Sequence, residues 1–246
     1  MGYEQLGMEG WRHLGTGGEA SAYMKITDLG KLTNGLLHCD EDITAVYRVS
    51  GDSEHSFLRN LAAAILDAAF VSGGKYANRH IPSPIGLSEV ADLPADGYLY
   101  EYVAGSEGFP WEFDRQMINI REWGQFSNAF AATGIPVTHD ITDVDNGRVS
   151  KNIIVQSYTI DDLIEGTLSP HWGRIDFGFS SCPVSWEKFG AYLTKNEEEL
   201  KSLLGSMEDV LLLAYNAGMM QLGPKEVMER YHRELQIFPI KFFNCL

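Results

Sequence analysis

Three residues combine a useful side chain with a setting in which it could do chemistry: Asp140, Asn152 and Asp176. Asp176 stands in Gly173-Arg174-Ile175-Asp176-Phe177-Gly178, an expected strand end followed by a glycine. A carboxylate placed there can reach a Mg2+ that bridges phosphate oxygens. Asp140 closes Ile135-Pro136-Val137-Thr138-His139-Asp140, and Asn152 opens Asn152-Ile153-Ile154-Val155. In that arrangement an aspartate can take the proton of an attacking hydroxyl while an asparagine beyond it holds metal. A fourth element is Gly15-Thr16-Gly17-Gly18-Glu19-Ala20-Ser21. Glycines there let backbone amides approach phosphate closely, and a hairpin tip can fold over a nucleotide. The stretch lacks the GK[ST] of a Walker loop, and Tyr23 and Met24 continue as a strand instead of opening a helix, which argues against a dinucleotide fingerprint.

Cations for an anionic ligand come from Arg48, in Ile43-Thr44-Ala45-Val46-Tyr47-Arg48-Val49, or from Lys25 on the preceding strand. Arg48 would bind phosphate in a bidentate manner. Two acids follow it, Glu54 in the short polar lead to a helix and Asp67 further along that helix. Between Asp140 and Asn152 lies Asp143-Val144-Asp145-Asn146-Gly147-Arg148-Val149, whose Asn-Gly pair between apolar residues signals a tight hairpin. The base is then Asp140, Asp143 or Asp145. The same acids do not make a calcium loop, because Gly147 comes one place early and no glutamate closes the run.

The elements that must position these residues divide the chain in two. Leu14 to Ile26 reads as strand, loop and strand, and Ile43 to Val49 as another strand. Gly51-Asp52-Ser53 signals a helix start, and Phe57, Leu58, Leu61, Ile65 and Leu66 form its apolar stripe. Ile85-Gly86-Leu87 and Gly97 to Val103 read as strands, and Ala104 to Gly108 as a flexible connector between lobes. Beyond it, Trp123, Phe126 and Phe130 fall at helical spacing, with Gly134 placed to stop that helix. Asn152 to Val155 is set to pair with Gly173 to Phe177. Leu200, Leu203, Leu204, Met207, Val210, Leu211 and Ala214 give one long apolar helical face, and Pro224 suits the first turn of a last helix. Strands first and helices second predict an α+β chain.

Taken in order, glycine loop, cation on a strand, acidic helix, β-rich segment, HD…N and DFG, the sequence resembles the protein-kinase-like superfamily, as a minimal, atypical member. The resemblance runs from about Leu14 to Gly178. It implies a bilobal fold with a β-rich N-lobe over residues 1–103 and a reduced helical C-lobe over 104–246. It implies an ATP- and Mg2+-dependent phosphotransferase acting on a hydroxyl, protein Ser/Thr preferred over a small molecule. It implies one of the two acids as the partner of Arg48, with Glu54 preferred to Asp67. Gly15, Gly17, Gly18 and Ser21 would cover the phosphates, Arg48 paired with Glu54 would position them, and Glu101, Tyr102 and Val103 would receive adenine. Asn152 and Asp176 would hold metal, with Asp140 as base. The chain departs from the family in having Arg48 where a lysine is usual, a longer catalytic loop, no HRD arginine and no APE segment. Those departures leave two alternatives, a pseudokinase that binds a regulatory protein partner without transfer and a kinase-fold nucleotidyltransferase.

Composition bounds these readings. The 246 residues are 44% apolar and 22% charged, ordinary for a globular chain. A formal charge of −15 disfavours DNA or RNA as partner and obliges any phosphate ligand to depend on metal and local cations. No run of about 18 apolar residues is present, so no membrane association is expected. Met1 to Gly10 carries Glu4 and Glu9 and does not read as a secretory signal. Three dispersed cysteines, Cys39, Cys182 and Cys245, form no zinc or disulfide pattern, so a cytoplasmic protein is expected. Delivery by a specialised export system is compatible with the same features.

Overall fold

The structure, a computed structural model, describes residues 12–16, 20–25, 45–50, 53–84, 97–101, 106–107, 120–137, 142–143, 148–149, 153–155, 172–175, 183–220 and 225–235. Four strands, β1 (Arg12–Thr16), β2 (Ala20–Lys25), β3 (Ala45–Ser50) and β4 (Gly97–Glu101), form an antiparallel sheet in sequence order. Helix α1 (Ser53–Ser72) follows β3, starting where Gly51-Asp52-Ser53 predicts. The short strands β5 (Ser106–Glu107), β8 (Ile153–Val155) and β9 (Trp172–Arg174) make a second sheet in the order β5-β8-β9. Strands β6 (Thr142–Asp143) and β7 (Arg148–Val149) pair antiparallel, Thr142 with Val149 and Asp143 with Arg148. The remaining helices are α2 (Ile120–Ala131), α3 (Trp186–Lys195), α4 (Glu197–Leu204), α5 (Met207–Met220) and α6 (Lys225–Leu235).

The expected bilobal architecture, with a β-rich lobe facing a reduced helical one, is corrected by this arrangement. Helix supplies most of the described residues, and the longest helix, α1, falls in the half expected to be β-rich. More decisively, α1 does not serve the first sheet alone. It packs most extensively on α5, a helix of the opposite half. One core cluster runs from Phe57 through Phe126 and Trp172 to Tyr231. Among the described side chains of the first sheet, it takes Tyr100. The expected stripe of α1 is also too narrow: every residue from Ser56 to Phe70 is buried. A helix covered on all sides belongs to the interior, and its alanines at 62, 63, 64, 68 and 69 keep it slim enough to lie there.

Local signals locate several boundaries. Helix α2 ends before Gly134, whose φ of +80° suits glycine. A Cβ at this position would meet the Ser185 carbonyl at 2.7 Å, so the turn is fixed by space as well as by φ. The long apolar face from Leu200 to Ala214 is not one helix. It breaks at Gly205 (φ +55°) into α4 and α5, which lets α5 turn onto α1. Part of the expected connector is ordered too, since Ser106 and Glu107 pair with Val155 and Ile154. Ile85, Gly86 and Leu87 lie outside the described residues.

Candidate functional site

The sequence-derived site residues fall into two groups. Gly17, Gly18, Tyr102, Val103, Asp140, Asp145, Asn152 and Asp176 lie outside the described residues. The others have defined backbone positions. Gly15 and Ser21 sit on β1 and β2, with Gly15 paired to Ala22 and Thr16 to Ser21. Arg48 is on the interior strand β3, paired with Ala22 on one side and Tyr98 on the other. Lys25 pairs with Ala45, three positions along β2 from Ala22. Glu54 is in the first turn of α1, and Asp143 closes β6.

The β8–β9 pairing carries the most information about the proposed metal ligands. Ile153 pairs with Arg174, Ile154 with Gly173 and Val155 with Trp172, antiparallel. The chain enters β8 directly after Asn152 and leaves β9 through Ile175 toward Asp176. These two ends adjoin at the Ile153–Arg174 pair, although the sequence separates them by the whole connection between the strands.

Two candidates prove to be committed elsewhere. Asp67, the alternative partner for Arg48, is fully buried and has four donors of its own. Tyr76 Oη donates to Oδ1 at 2.7 Å, while Arg79 Nε at 3.2 Å, His80 N at 2.7 Å and Ile81 N at 2.9 Å all donate to Oδ2. Glu101 is bound to Ser83: its N–H donates to the Ser83 carbonyl at 3.0 Å, and Ser83 N donates to its Oε2 at 2.7 Å. Glu101 is therefore a tie between β4 and the segment after α1.

Around Asp67 lies a buried polar cluster that the motif reading missed. Arg79 extends from Asp67 to the carbonyls of Ala64 (3.2 Å) and Ile81 (2.6 Å) and to Ser83 Oγ (3.2 Å). The His80 ring stacks on Trp172, and its Nδ1 donates to the Trp172 carbonyl at 2.9 Å. Its Nε2 faces Glu122 Oε1 at 3.4 Å. The ring thus lies between the Trp172 carbonyl and the Glu122 carboxylate. Burial alone would raise the Glu122 carboxyl, but His80 and Asn78 outweigh it and hold the group below its ordinary value. Arg174, also buried, receives the chain through its N–H to the His80 carbonyl (2.6 Å). Its Nε reaches the Val137 carbonyl (3.0 Å), and its Nη1 reaches the Ile175 carbonyl. This network clamps the end of β9 immediately before Asp176. A signal for it existed in the sequence: Asp67 interrupts an otherwise apolar helical run, and a buried charge there demands partners.

No protein family, curated protein or solved structure matches this chain. Among the described residues, no group of three or more His, Cys, Asp or Glu side chains could hold a metal ion, and no helix is long and apolar enough to cross a membrane.

Proposed function

We propose that the chain is an ATP- and Mg2+-dependent phosphotransferase that moves the γ-phosphate to a hydroxyl, with protein Ser/Thr as the preferred acceptor. The likeness to protein kinases is one of motif order and does not extend to the architecture. The observation that carries the reading is the β8–β9 register, which adjoins the chain ends leading to Asn152 and Asp176. An amide oxygen and a carboxylate are hard donors of the kind Mg2+ accepts. When bound, the ion would neutralise phosphate charge and orient the transferring group. Arg48, centred in the first sheet, would contact phosphate oxygens, and Glu54 would hold its guanidinium. Glycines 15, 17 and 18, with Ser21, would offer backbone amides to the same phosphates. Asp140 would accept the proton of the acceptor hydroxyl. Such catalysis needs position and charge more than covalent chemistry, and the clamp on Arg174 supports the rigidity it requires. A cytoplasmic setting, with ATP and Mg2+ at hand, is part of the proposal.

The test uses γ-labelled and, separately, α-labelled ATP with Mg2+ and a protein lysate. Transfer of the γ-label that disappears in Asp176→Ala is the expected result. Retention of the α-label instead would make the chain a nucleotidyltransferase. Nucleotide-dependent thermal stabilisation without any transfer would favour a pseudokinase and overturn the enzymatic reading.

A further inference from the structure

The geometry points to a second ligand site: an open groove between α2 and α3 that takes a small polyanion, carrying phosphoryl or carboxylate groups, without a metal. The groove encloses about 690 Å3, the size of a small-molecule site. Three of the chain's 19 lysines and arginines, Lys75, Lys188 and Lys195, line it, and none of its 34 acids does so among the described residues. In a chain of net charge −15, three ammonium groups gathered at a concave surface, with Glu199 beside Lys75 at its edge, favour an anionic ligand.

The ammonium groups retain capacity for a ligand. Lys188 donates one N–H to the Ala131 carbonyl at 2.8 Å, and an ammonium has three donors. Lys75 rests over the Phe70 ring at 4.7 Å and lies 4.0 Å from the exposed Glu199, a loose pairing that a ligand carboxylate or phosphate could displace. Between the lysines, the exposed amides of Gln125 and Asn128 supply neutral donors, and alanines leave room beneath them. The donor set suits several anionic oxygens at once. It contains no carboxylate to hold a cation.

That last feature separates this site from the phosphotransferase reading, which depends on Mg2+. The probes are inorganic tripolyphosphate and citrate, titrated calorimetrically into the full chain in the presence of EDTA. At least one is expected to bind, and more weakly when NaCl is raised from about 50 to about 200 mM. The double variant Lys75→Gln, Lys195→Gln spares the Lys188 contact with Ala131 and should weaken binding by about tenfold or more. Lys225→Gln, an exposed cation outside the groove, should leave it unchanged. Whichever probe binds tells whether phosphoryl or carboxylate groups are preferred. Absence of binding by both in EDTA, or equal loss in Lys225→Gln and the double variant, would each overturn the proposal. None of these results bears on γ-phosphate transfer.

Discussion

The His80 imidazole lies flat against the Trp172 indole, with ring centroids 3.7 Å apart and planes 7° from parallel, while its Nδ1 donates to the carbonyl of the same tryptophan. Stacking and hydrogen bond together join the segment after α1 to β9 across 92 positions of sequence. Glu122, on α2, completes the joint from the other side of the ring. A buried carboxylate held by His80 and Asn78 should make stability depend on acid. The Glu122 carboxyl lies below its ordinary value in the folded chain, so its contribution is complete above that value, near 4.5, and is lost as pH falls through the folded value. Urea midpoints followed from neutral pH to acid should decline over this range. Glu122→Gln should lower the neutral midpoint and flatten the acid limb; an unchanged acid limb would remove the pair from the account.

Asp67 should be the most sensitive buried charge. Replacing it with alanine strands Arg79, Tyr76 and two backbone N–H groups in the interior. Loss of one partner of a buried ion pair costs about 3–5 kcal/mol. Asp67→Ala should therefore lose that much in equilibrium urea unfolding, with its unfolding slope little changed. A loss under about 1 kcal/mol, in the range of an exposed pair, would mean that Asp67 is not held in a buried pair.

Alkali should destabilise the fold for a separate reason. Burial, reinforced by Asp67, pushes the Tyr76 phenol well above its ordinary value. Burial and Glu199 push Tyr192 up to about 12, and burial with Glu101 raises Tyr231 further. A raised phenol contributes stability that is complete below its unfolded value of 10 and declines as pH rises through the interval to the folded value. Thermal midpoints should fall above pH 10, together with the ultraviolet signature of tyrosinate. Tyr192→Phe should reduce the slope; tyrosinate appearing before unfolding would contradict the assignment.

Close helix contact makes a glycine substitution decisive. On α5, a Cβ at Gly218 would stand 2.2 Å from the Trp186 ring of α3. Alanine gains up to about 1 kcal/mol of helix propensity over glycine. Overpacking typically costs about 1–3 kcal/mol. The clash should win, so Gly218→Ala should lower the thermal midpoint, and Gly218→Ala combined with Trp186→Leu should recover part of the loss. A neutral or stabilising single substitution would show that α3 and α5 lie further apart.

What could be read before folding was local. The helix start at Ser53, the stop at Gly134, the Asn-Gly hairpin and the partnership of Ile153 to Val155 with the strand before Asp176 each rest on a few neighbouring residues. Their backbone preferences differ sharply enough to show in sequence. The same locality explains the misses. An apolar period shows which face of α1 avoids water, and it says nothing of a helix wrapped on every side. The run from Leu200 to Ala214 keeps its period through Gly205, where only a positive φ reveals the break.

By itself the sequence determined the strong charge imbalance, the positions of the main turns and caps, and the set of acids and amides from which a metal-dependent site would be drawn. Tertiary structure alone decided who pairs with whom. Asp67 and Arg79 stand close in sequence, yet only packing places both out of water. His80 reaches Trp172, Lys75 meets Lys188 and Lys195 across a groove, and α1 packs on α5 as well as on the first sheet. Burial is the physical reason. Once enclosed, a polar group must find a partner wherever the fold brings one, and separation along the chain carries little information about where that partner lies.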